Sequence, residues 1–583
     1  MRMSDFFRFG KGLRRDAAGA SRVESGNSSG AVKPGADRQM RNRLMLAMGG
    51  FAAIYLVIAG RLVLLATMTP ETPVHYLDPG EQVSHARPDI LDRAGNVLAT
   101  DINVPSLYAE PVKMFDVDGT IEDLRTVLPD LDAADLRRKL TSGKDFVWLK
   151  REITPTEKTA IHGLGLPGIG FLEENKRVYP AGPITSHVLG YVNIDNQGIA
   201  GFEKHLDADW LGALHSAGLA RNTPLEPVRL SIDLRAQHAM RDELMSAMDK
   251  FRTVAAAGAI MDVHTGELLA MVSLPDFDPE RPVEALQKDR INRLTTGVYE
   301  LGSAFKAFTT AMALDTGRIG INSTFDARSP IRVGGNTIGD YHAQNRIMSV
   351  EDIYIHSSNI GTARMALAVG VEGHKAFLKK LGFFDRMTTE LPESGAPIVP
   401  DPWREVSTMT IAFGHGMSIA PIQAVAAGAS LVNGGILIPP TFTPRSPEAA
   451  AALSRQVIAP ETSDRMRYLM RLNVVKGTAK KADVPGYSVG GKTGTAEKVV
   501  NGRYSGNKVL TTFLSTFPTT DPKYLVFVML DEPQGITETH GYRTSGWNVA
   551  PTAGRIIERV APILGVVPEM APVSGDEPVS VAY

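Results

Sequence analysis

The 583-residue sequence contains no cysteine. Disulfide bridges, thiolate metal sites and cysteine nucleophiles are therefore excluded together, and the fold must rest on packing alone. The sequence also lacks a charge bias, since 62 Lys and Arg stand against 64 Asp and Glu for a formal net charge of -2. Composition thus gives no reason to expect nucleic acid as a partner. No internal repeat is visible, and 43% hydrophobic with 22% charged residues is typical of a folded chain of two or three domains.

The N-terminal part of the chain divides into a basic segment and an apolar one. Residues 1–43 carry ten Lys and Arg against four acidic residues, which predicts a flexible basic tail. Residues 44–68 carry no charge except Arg61, and about 25 helical residues exceed the ~30 Å hydrocarbon core of a bilayer. We therefore predict a single transmembrane helix. The positive-inside rule places the tail in the cytoplasm and everything after the helix outside it.

Arg61 interrupts the apolar run near its outer end. Its guanidinium could reach to the membrane interface, or it could contact a partner's membrane helix, and the sequence leaves both readings open. A cleaved signal peptide fits less well, because the apolar run is too long and no small-residue cleavage site ends it.

Residues 69–226 alternate short strand-like runs with helices and are interpreted as a spacer domain. Three patterns in it, Arg87–Ala99, Arg177–Gly182 and Gly201–Lys204, contain no nucleophile beside a base. Buried charges need partners, so we expect these arginines to pair with Glu203 inside the domain.

Residues 227–562 are predicted to form the main domain, followed by a disordered tail at 563–583. Strand patterns occur at both ends of this domain, and helical patterns dominate between Ser303 and about residue 472. This order predicts one antiparallel sheet covered by helices, an α/β fold of the α+β type. The predicted elements are a helix at Asp233–Phe251, a hairpin of Ala257–Val263 and Glu267–Ser273, a strand carrying Lys492, and strands at Phe513–Phe517 and Tyr524–Leu530.

Ser303 and Lys306 are three residues apart at the start of an apolar helix predicted from Ala304 to Leu314. Residues at this spacing share one helix face, so the serine and the lysine can act together. A buried ammonium is costly, which favours a neutral lysine that can accept the proton of a serine nucleophile. A bare Ser-x-x-Lys also occurs by chance about once in a chain of this length, so the pair alone does not decide.

Two later motifs add weight to this pair: Ser357-Ser358-Asn359, and Lys492-Thr493-Gly494-Thr495 in a strand context. Serine and asparagine are also common in caps and turns. In this order, however, the three motifs match the set of penicillin-binding proteins and serine β-lactamases.

Keeping Lys306 neutral at pH 7 would cost about 4–5 kcal/mol in an unperturbed setting. Burial, the helix N-terminus and Lys492 should all lower its pKa.

The other motif residues suit a substrate cleft. Ser357 could bridge the two lysines and pass a proton to a leaving amine, while Asn359 offers an amide to a peptide bond. Gly494 allows a substrate backbone to approach the strand, and the hydroxyls of Thr493 and Thr495 can bind a carboxylate. The backbone N–H groups of Ser303 and Thr495 could form an oxyanion hole.

A larger set of motifs spans about residues 44–560: the membrane anchor, the spacer arginine patterns, Tyr299–Lys306, Ser357–Asn359, Phe413–Gly416 and Lys492–Thr495. With these motifs the chain resembles the class B penicillin-binding proteins, and among them the division-specific peptidoglycan D,D-transpeptidases. The resemblance implies that the serine attacks the D-Ala-D-Ala bond of one stem peptide and gives the acyl group to an amine of another. It implies β-lactam binding, divisome partners including an FtsW-type glycan polymerase, an inner-membrane location with the catalytic domain in the periplasm at the septum, and no cofactor.

By the same resemblance, Ser303 is the nucleophile and Lys306 its base, with Ser357 and Lys492 as the proton relay. Asn359 holds the substrate, and Thr493, Gly494 and Thr495 receive its carboxylate end.

Four other classes of protein share part of this pattern. A class A enzyme would need a glycosyltransferase domain, for which residues 69–226 show no acidic pattern. A β-lactam sensor usually has several membrane helices, and a non-catalytic division scaffold would be expected to have lost a catalytic residue. An elongation-specific class B enzyme is the nearest alternative.

Overall fold

The computed structural model describes Met45 and residues 48–61, 87–208, 225–500 and 502–569. The chain divides into two compact units, Met1–Glu81 and Gln82–Tyr583. In the first unit, residues 48–61 are helical. Among the described residues, no helix combines the length and the apolar character that a membrane crossing requires. The predicted tail 1–43 and parts of the predicted span 44–68 lie outside the described residues.

The second unit begins with the spacer. Its elements are β1 Ile90–Leu91, β2 Val97–Ala109, α1 Val117–Val127, α2 Ala133–Leu140, β3 Val147–Lys150, α3 Pro155–Gly163, β4 Ile169–Val178, α4 Ser186–Leu189, β5 Tyr191–Val192, β6 Gly198–Ala200, α5 Gly201–Leu206 and β7 Val228–Arg229. The central sheet has the strand order β3-β2-β1-β7, and β4 also pairs with β2.

The spacer arginines are paired as predicted. Glu203 on α5 is fully buried and accepts from Arg87 Nε at 2.9 Å and from Arg177 Nε at 2.7 Å. Arg177 on β4 also reaches Asp101 on β2 at 3.0 Å. The carboxylates compensate the buried guanidinium groups and tie α5 to the sheet.

The main domain follows. Its elements are α6 Leu234–Phe251, β8 Ala255–Asp262, β9 Leu268–Leu274, α7 Lys306–Asp315, β10 Thr324–Asp326, β11 Ile331–Val333, β12 Asn336–Ile338, β13 Ile347–Ser349, α8 Val350–His356, α9 Asn359–Val369, α10 Val371–Lys380, α11 Glu405–Ala412, α12 Pro421–Ser430, β14 Ile436–Leu437, α13 Pro447–Leu453, β15 Arg455–Gln456, α14 Pro460–Val475, β16 Gly490–Val500, β17 Arg503–Phe517, β18 Tyr524–Asp531 and α15 Val549–Ile563.

A five-stranded sheet of order β16-β17-β18-β8-β9 organises this domain, and every neighbouring pair is antiparallel. The predicted sheet is therefore confirmed. Side chains alternate between its faces: Phe513 and Val526 belong to one hydrophobic cluster with α6 and α15, whereas Leu514 and Phe527 belong to another with α7 and α12. Helices cover both faces, and β16 forms one edge of the sheet.

Two boundaries differ from the prediction. The strand β7 lies after the predicted boundary at residue 226, yet it pairs with β1 of the spacer. The tail predicted to be disordered from residue 563 packs against the domain as far as Glu569, because Val566 is buried and the Glu569 N–H donates to the Gly486 carbonyl at 2.7 Å. Residues 570–583 lie outside the described part of the chain.

Candidate active site

The turn that carries Ser303 is fixed by backbone contacts. Gly302–Phe305 form a 3₁₀ turn, and the α-helix begins only at Lys306, whereas a single helix from Ala304 was predicted. Gly302 has a φ of +54°, and a Cβ there would lie 2.4 Å from the Thr495 carbonyl oxygen. Only glycine fits this contact without displacing β16. The tight turn presents the half-buried Ser303 at the helix entry.

Lys306 lies at the first position of α7 with 1% of its surface exposed. Its Nζ donates to the Ser357 carbonyl at 2.5 Å and to the Ser357 Oγ at 3.1 Å. Among the described residues, no hydrogen bond joins Lys306 to Ser303. The predicted base is therefore oriented by the second motif rather than by the predicted nucleophile.

Ser357 lies where the two lysines converge. It ends α8 in a left-handed conformation, with φ 56°, which turns the chain between α8 and α9 and directs the hydroxyl toward the lysines. Lys492 Nζ on β16 donates to the same Oγ at 3.0 Å. A hydroxyl oxygen can accept two hydrogen bonds and donate one, so Ser357 can connect both amines.

Burial shifts the acid–base balance of both lysines. Burial has the largest effect on Lys306 and holds its pKa well below the ordinary value. The charge of Lys492 lowers this pKa further, and the charge of Asp340 opposes the shift. Burial lowers the pKa of Lys492 to about 7. Neither ammonium forms a salt bridge with a carboxylate in the described part of the chain. A neutral lysine is therefore accessible near neutral pH, as expected from the sequence.

Asp340 organises the second motif and was not identified from the sequence. Its carboxylate accepts from the Ser358 hydroxyl at 2.7 Å and from the Ile360 N–H at 2.9 Å. The Asn359 amide donates to the neighbouring Gly339 carbonyl at 2.9 Å. Asp340 is the lone acidic residue between Asp326 and Glu351, which is the only sequence signal that could have indicated it.

The third motif lies on the edge strand β16, directly against the turn of Ser303. A Cβ on Gly494 would lie 2.3 Å from the Leu301 carbonyl oxygen, so glycine is needed here for close approach. The Thr493 hydroxyl is 2.6 Å from that of Thr478. These contacts bring the first and third motifs together.

Thr495 is held by a residue that the sequence did not indicate. Its hydroxyl is 2.7 Å from the Ser545 hydroxyl and accepts from the Ser545 N–H at 3.2 Å. Ser545 also donates to the Gly494 carbonyl. Thr478 and Ser545 are 15 and 50 residues from their partners, and isolated Thr and Ser residues in loops carry no distinctive pattern.

The structure thus joins Lys306, Ser357 and Lys492 by hydrogen bonds. Ser303 lies on the turn that contacts β16, and Asn359 lies beside the loop of Asp340. The chemistry available is nucleophilic attack by a serine with neighbouring amines as proton acceptors. In the described part of the chain, no cluster of three His, Asp or Glu residues could hold a metal ion.

Comparison with known proteins defines the class. Residues 256–558 match the penicillin-binding protein transpeptidase domain, and residues 82–212 match the penicillin-binding protein dimerisation domain. The chain belongs to the class B penicillin-binding proteins and is an enzyme of the transpeptidase class.

Individual relatives agree with this assignment. The chain is 39% identical over 92% of its length to a probable peptidoglycan D,D-transpeptidase FtsI of Caulobacter vibrioides, covering 91% of that protein. It is 28% identical over 92% of its length to the peptidoglycan D,D-transpeptidase FtsI of Escherichia coli, covering 94% of it. The crystal structure of penicillin-binding protein 3 from Mycobacterium tuberculosis, complexed with aztreonam, shares the fold with a TM-score of 0.64 at 22% identity, covering 84% of this chain and 98% of that one.

Proposed function

We propose that the protein is a peptidoglycan D,D-transpeptidase that cross-links stem peptides through an acyl-enzyme on Ser303, in septal wall synthesis. The observation that carries this proposal is the Ser357 hydroxyl, which lies 3.1 Å from Lys306 Nζ and 3.0 Å from Lys492 Nζ. Two buried amines of lowered pKa joined by one hydroxyl form a path along which a proton can leave the serine and reach the leaving group.

In the acylation step, Ser303 Oγ attacks the carbonyl carbon of the penultimate D-alanine. Neutral Lys306 takes the hydroxyl proton. The bond to the terminal D-alanine breaks, and its nitrogen receives a proton through Ser357 and Lys492. The backbone N–H groups of Ser303 and Thr495 are the proposed donors to the developing oxyanion.

In the second step an amine of another stem peptide attacks the ester carbon. Its proton passes to Lys306, and Ser303 regains a proton as the ester C–O bond breaks. No acidic residue forms a hydrogen bond or an ion pair with Lys306 or Ser357 in the described part of the chain, and Asp340, whose charge acts on Lys306, is bonded to Ser358 and Ile360 instead. This favours transfer to an amine over hydrolysis.

Substrate binding is assigned to the cleft residues. Asn359 would hold the peptide bond of the donor stem, and the hydroxyls of Thr493 and Thr495 its terminal carboxylate, with Gly494 allowing close approach. Thr495 is already oriented by Ser545 and Thr493 by Thr478. β-Lactams would occupy the same positions, and support comes from the mycobacterial structure of the same fold, which is a complex with aztreonam.

The proposed location is the inner membrane. Residues 44–68 would form a single anchor with residues 1–43 in the cytoplasm, the spacer at 69–226 and the transpeptidase domain at 227–562 in the periplasm. Divisome partners would include an FtsW-type glycan polymerase. Support comes from the apolar run of the sequence, the helical residues 48–61, and the FtsI names of two relatives.

Labelling with a fluorescent penicillin followed by peptide mapping tests the nucleophile. The label is expected on Ser303 alone and should be absent from Ser303→Ala. Intact-protein mass measured after removal of free drug should show an adduct that persists for many minutes. A label at another serine, or return to the free mass within seconds, would contradict the transpeptidase mechanism.

Localisation in dividing cells tests the septal role. A fluorescent fusion of the full chain is expected at midcell during constriction. A lateral-wall pattern would instead favour the elongation-specific enzyme, and would leave the chemistry at Ser303 intact.

A further inference from the structure

Tyr354 on α8 is among the largest fully buried side chains of the described residues, and the proposed chemistry gives it no part. Its hydroxyl has no hydrogen-bond partner in the described part of the chain. A buried phenol usually has such a partner, so the hydroxyl does not account for a tyrosine at this place. The aromatic ring, rather than the hydroxyl, is the part of the side chain that meets a functional group.

The ring of Tyr354 faces the amine of Lys492. Lys492 Nζ lies over the ring, 5.8 Å from its centroid, which is within the distance at which an aromatic face attracts a cation. The same Nζ donates to the Ser357 Oγ at 3.0 Å and to the Thr493 carbonyl at 3.3 Å. No carboxylate among the described residues pairs with this amine, so the ring face supplies the negative partial charge that a carboxylate would otherwise provide.

One short stretch of chain supplies both the ring and the hydroxyl that meet Lys492. Tyr354 and Ser357 are three residues apart, and the Ser357 N–H donates to the Tyr354 carbonyl at 3.4 Å at the end of α8. The left-handed conformation of Ser357 turns the chain at this point. The ring, the hydroxyl and a carbonyl of β16 thus hold the amine from different elements.

We propose that Tyr354 is a positioning residue: its ring holds the Lys492 ammonium against the Ser357 hydroxyl and favours the charged form, which can donate a proton to the leaving group. The proposal rests on the proposed function for the role of Lys492 in the proton relay. Burial disfavours a charged amine, whereas an aromatic face favours it. The ring therefore raises the pH up to which the relay stays charged.

Three other elements bring charged groups to this region. Lys306 on α7 donates to the same hydroxyl as Lys492. Asp340, in the loop before β13, raises the pKa of Lys306. Arg471 on α14 donates to the backbone just before β16 and pairs with Asp483. None of these groups is changed when only the ring at position 354 is altered.

Two neighbours of the lysines are neutral. Leu514 on β17 stands opposite Lys492 in the sheet. Burial, and then the charge of Lys306, lower the pKa of His415 to about 4, so its imidazole stays neutral at pH 6 and above. A difference between proteins that differ only in the ring at position 354 therefore reports the attraction between that ring and Lys492.

A series of rings at position 354 tests the attraction while keeping the shape of the core. Tyr354→Phe is the reference, because it keeps the ring and removes only the unpartnered hydroxyl. Two further proteins carry 4-fluorophenylalanine and 3,4,5-trifluorophenylalanine at this position. Fluorine withdraws negative charge from the ring face, so each step should weaken the attraction for a cation.

Thermal unfolding of the full-length protein measures the attraction without any ligand. At pH 6, below the pKa of about 7 that burial gives Lys492, the folded protein holds a charged amine. The melting temperature should then fall stepwise along the series, by about 1 °C or more in total. At pH 9 the folded amine is neutral, while the unfolded lysine is charged at both pH values. The three proteins should therefore melt at the same temperature at pH 9.

Penicillin acylation across pH measures the role of the ring in the relay. The rate should decline on the basic side as Lys492 loses its proton. The midpoint of this decline should lie about 0.5 to 1.5 pH units lower in the trifluorinated protein than in Tyr354→Phe. The unsubstituted protein and Tyr354→Phe should share one midpoint.

Phe442→Met is the matched control for the loss of a buried ring. Phe442 is fully buried in the same hydrophobic cluster, and its backbone is bonded to Ser231 and Glu390 on other segments. This substitution should lower the melting temperature equally at pH 6 and pH 9, and it should leave the basic midpoint of acylation unchanged.

Equal melting temperatures of the three ring variants at pH 6 would overturn the proposal, since no attraction would then exist. A basic midpoint that stays fixed along the series, with Ser303 labelled, would overturn the role of the ring in the relay. A penicillin label at another residue would instead contradict the proposed function. The melting temperatures would still decide, in that case, whether the ring holds the charged amine.

Discussion

In the spacer, Arg87 and Arg177 are buried around Glu203; in the transpeptidase domain, Lys306 and Lys492 are buried around Ser357. Burial opposes the charge of Arg177, yet Glu203 and Asp101 outweigh it and the pKa of Arg177 is raised. The two lysines meet a neutral hydroxyl instead, and their pKa values fall.

The difference lies in the group at the centre of each cluster. A carboxylate keeps the surrounding cations charged and makes them structural, because removing any member leaves an uncompensated charge. A hydroxyl cannot compensate charge but can pass a proton. Buried basic groups around a carboxylate thus hold the spacer together, while buried basic groups around a hydroxyl are available for chemistry.

The largest expected effect is that of Lys306→Met on acylation. Losing the proposed base should lower the rate of penicillin acylation by about 10²- to 10⁴-fold. The free energy of unfolding should stay constant or rise, because a buried polar amine is replaced by an apolar side chain of similar length. Stopped-flow acylation and denaturant unfolding measure the two quantities. A large loss of stability would make Lys306 structural and remove the contrast with the spacer.

Glu203→Gln should show the opposite pattern. Two buried guanidinium groups would lose their shared carboxylate, at a cost of about 3–5 kcal/mol in the free energy of unfolding. Acylation of the folded fraction should keep its rate. Glu174→Gln, at a more exposed carboxylate paired with Arg151, is the control and should cost about 1 kcal/mol or less. Equal losses of unfolding free energy in both variants would show that burial of the Glu203 cluster adds nothing to its contribution to stability.

The pH dependence of stability should also distinguish the clusters. The pKa of Lys492 falls from an ordinary 10.5 to about 7 on folding, so between these values the unfolded chain holds a proton that the folded chain lacks. Stability should therefore rise with pH in this window, by about 1.4 kcal/mol per unit for one lysine, and this gain is lost as pH falls toward 7. Lys492→Met should remove that slope from the unfolding free energy, whereas Arg177→Met should leave the slope as it is.

Asp340→Asn should have the smallest effect. The amide keeps an acceptor for Ser358 or Ile360 but loses the negative charge, so we expect a loss of about 1–3 kcal/mol in the free energy of unfolding. Asp340 raises the pKa of Lys306, so the pH midpoint of acylation should move to lower values. Acylation rates measured across pH would show this shift of the midpoint. A midpoint that moved to higher pH would contradict the effect of Asp340 on the pKa of Lys306.

Residues that share a short motif could be found from the sequence, whereas residues that join the site through tertiary contact could not. Ser303 with Lys306, Ser357 with Asn359, and the run at Lys492 have fixed local spacings that the proposed chemistry requires. Asp340, Thr478 and Ser545 reach their partners across 15 to 50 residues, and their residue types are ordinary in loops.

In the fold, too, features with a local sequence pattern could be predicted, whereas features set by long-range contacts could not. The antiparallel sheet followed from strand patterns at both ends of the domain, and the pairing of Glu203 from the cost of burying arginine. The 3₁₀ turn at Gly302–Phe305 was predicted as plain helix, because its shape depends on contacts with β16 that no local pattern encodes. The place of β7 in the spacer sheet is likewise a long-range pairing.

Two backbone contacts between the nucleophile turn and β16, Gly302 against Thr495 and Gly494 against Leu301, limit which substitutions this site can accept. A single methyl group at either position would collide with the opposing backbone, at 2.4 Å and 2.3 Å respectively, and would push the serine from its place. Under antibiotic selection these two positions are therefore closed to substitution. Resistant variants should accumulate in the surrounding loops, where side chains can change without separating the strand from the turn.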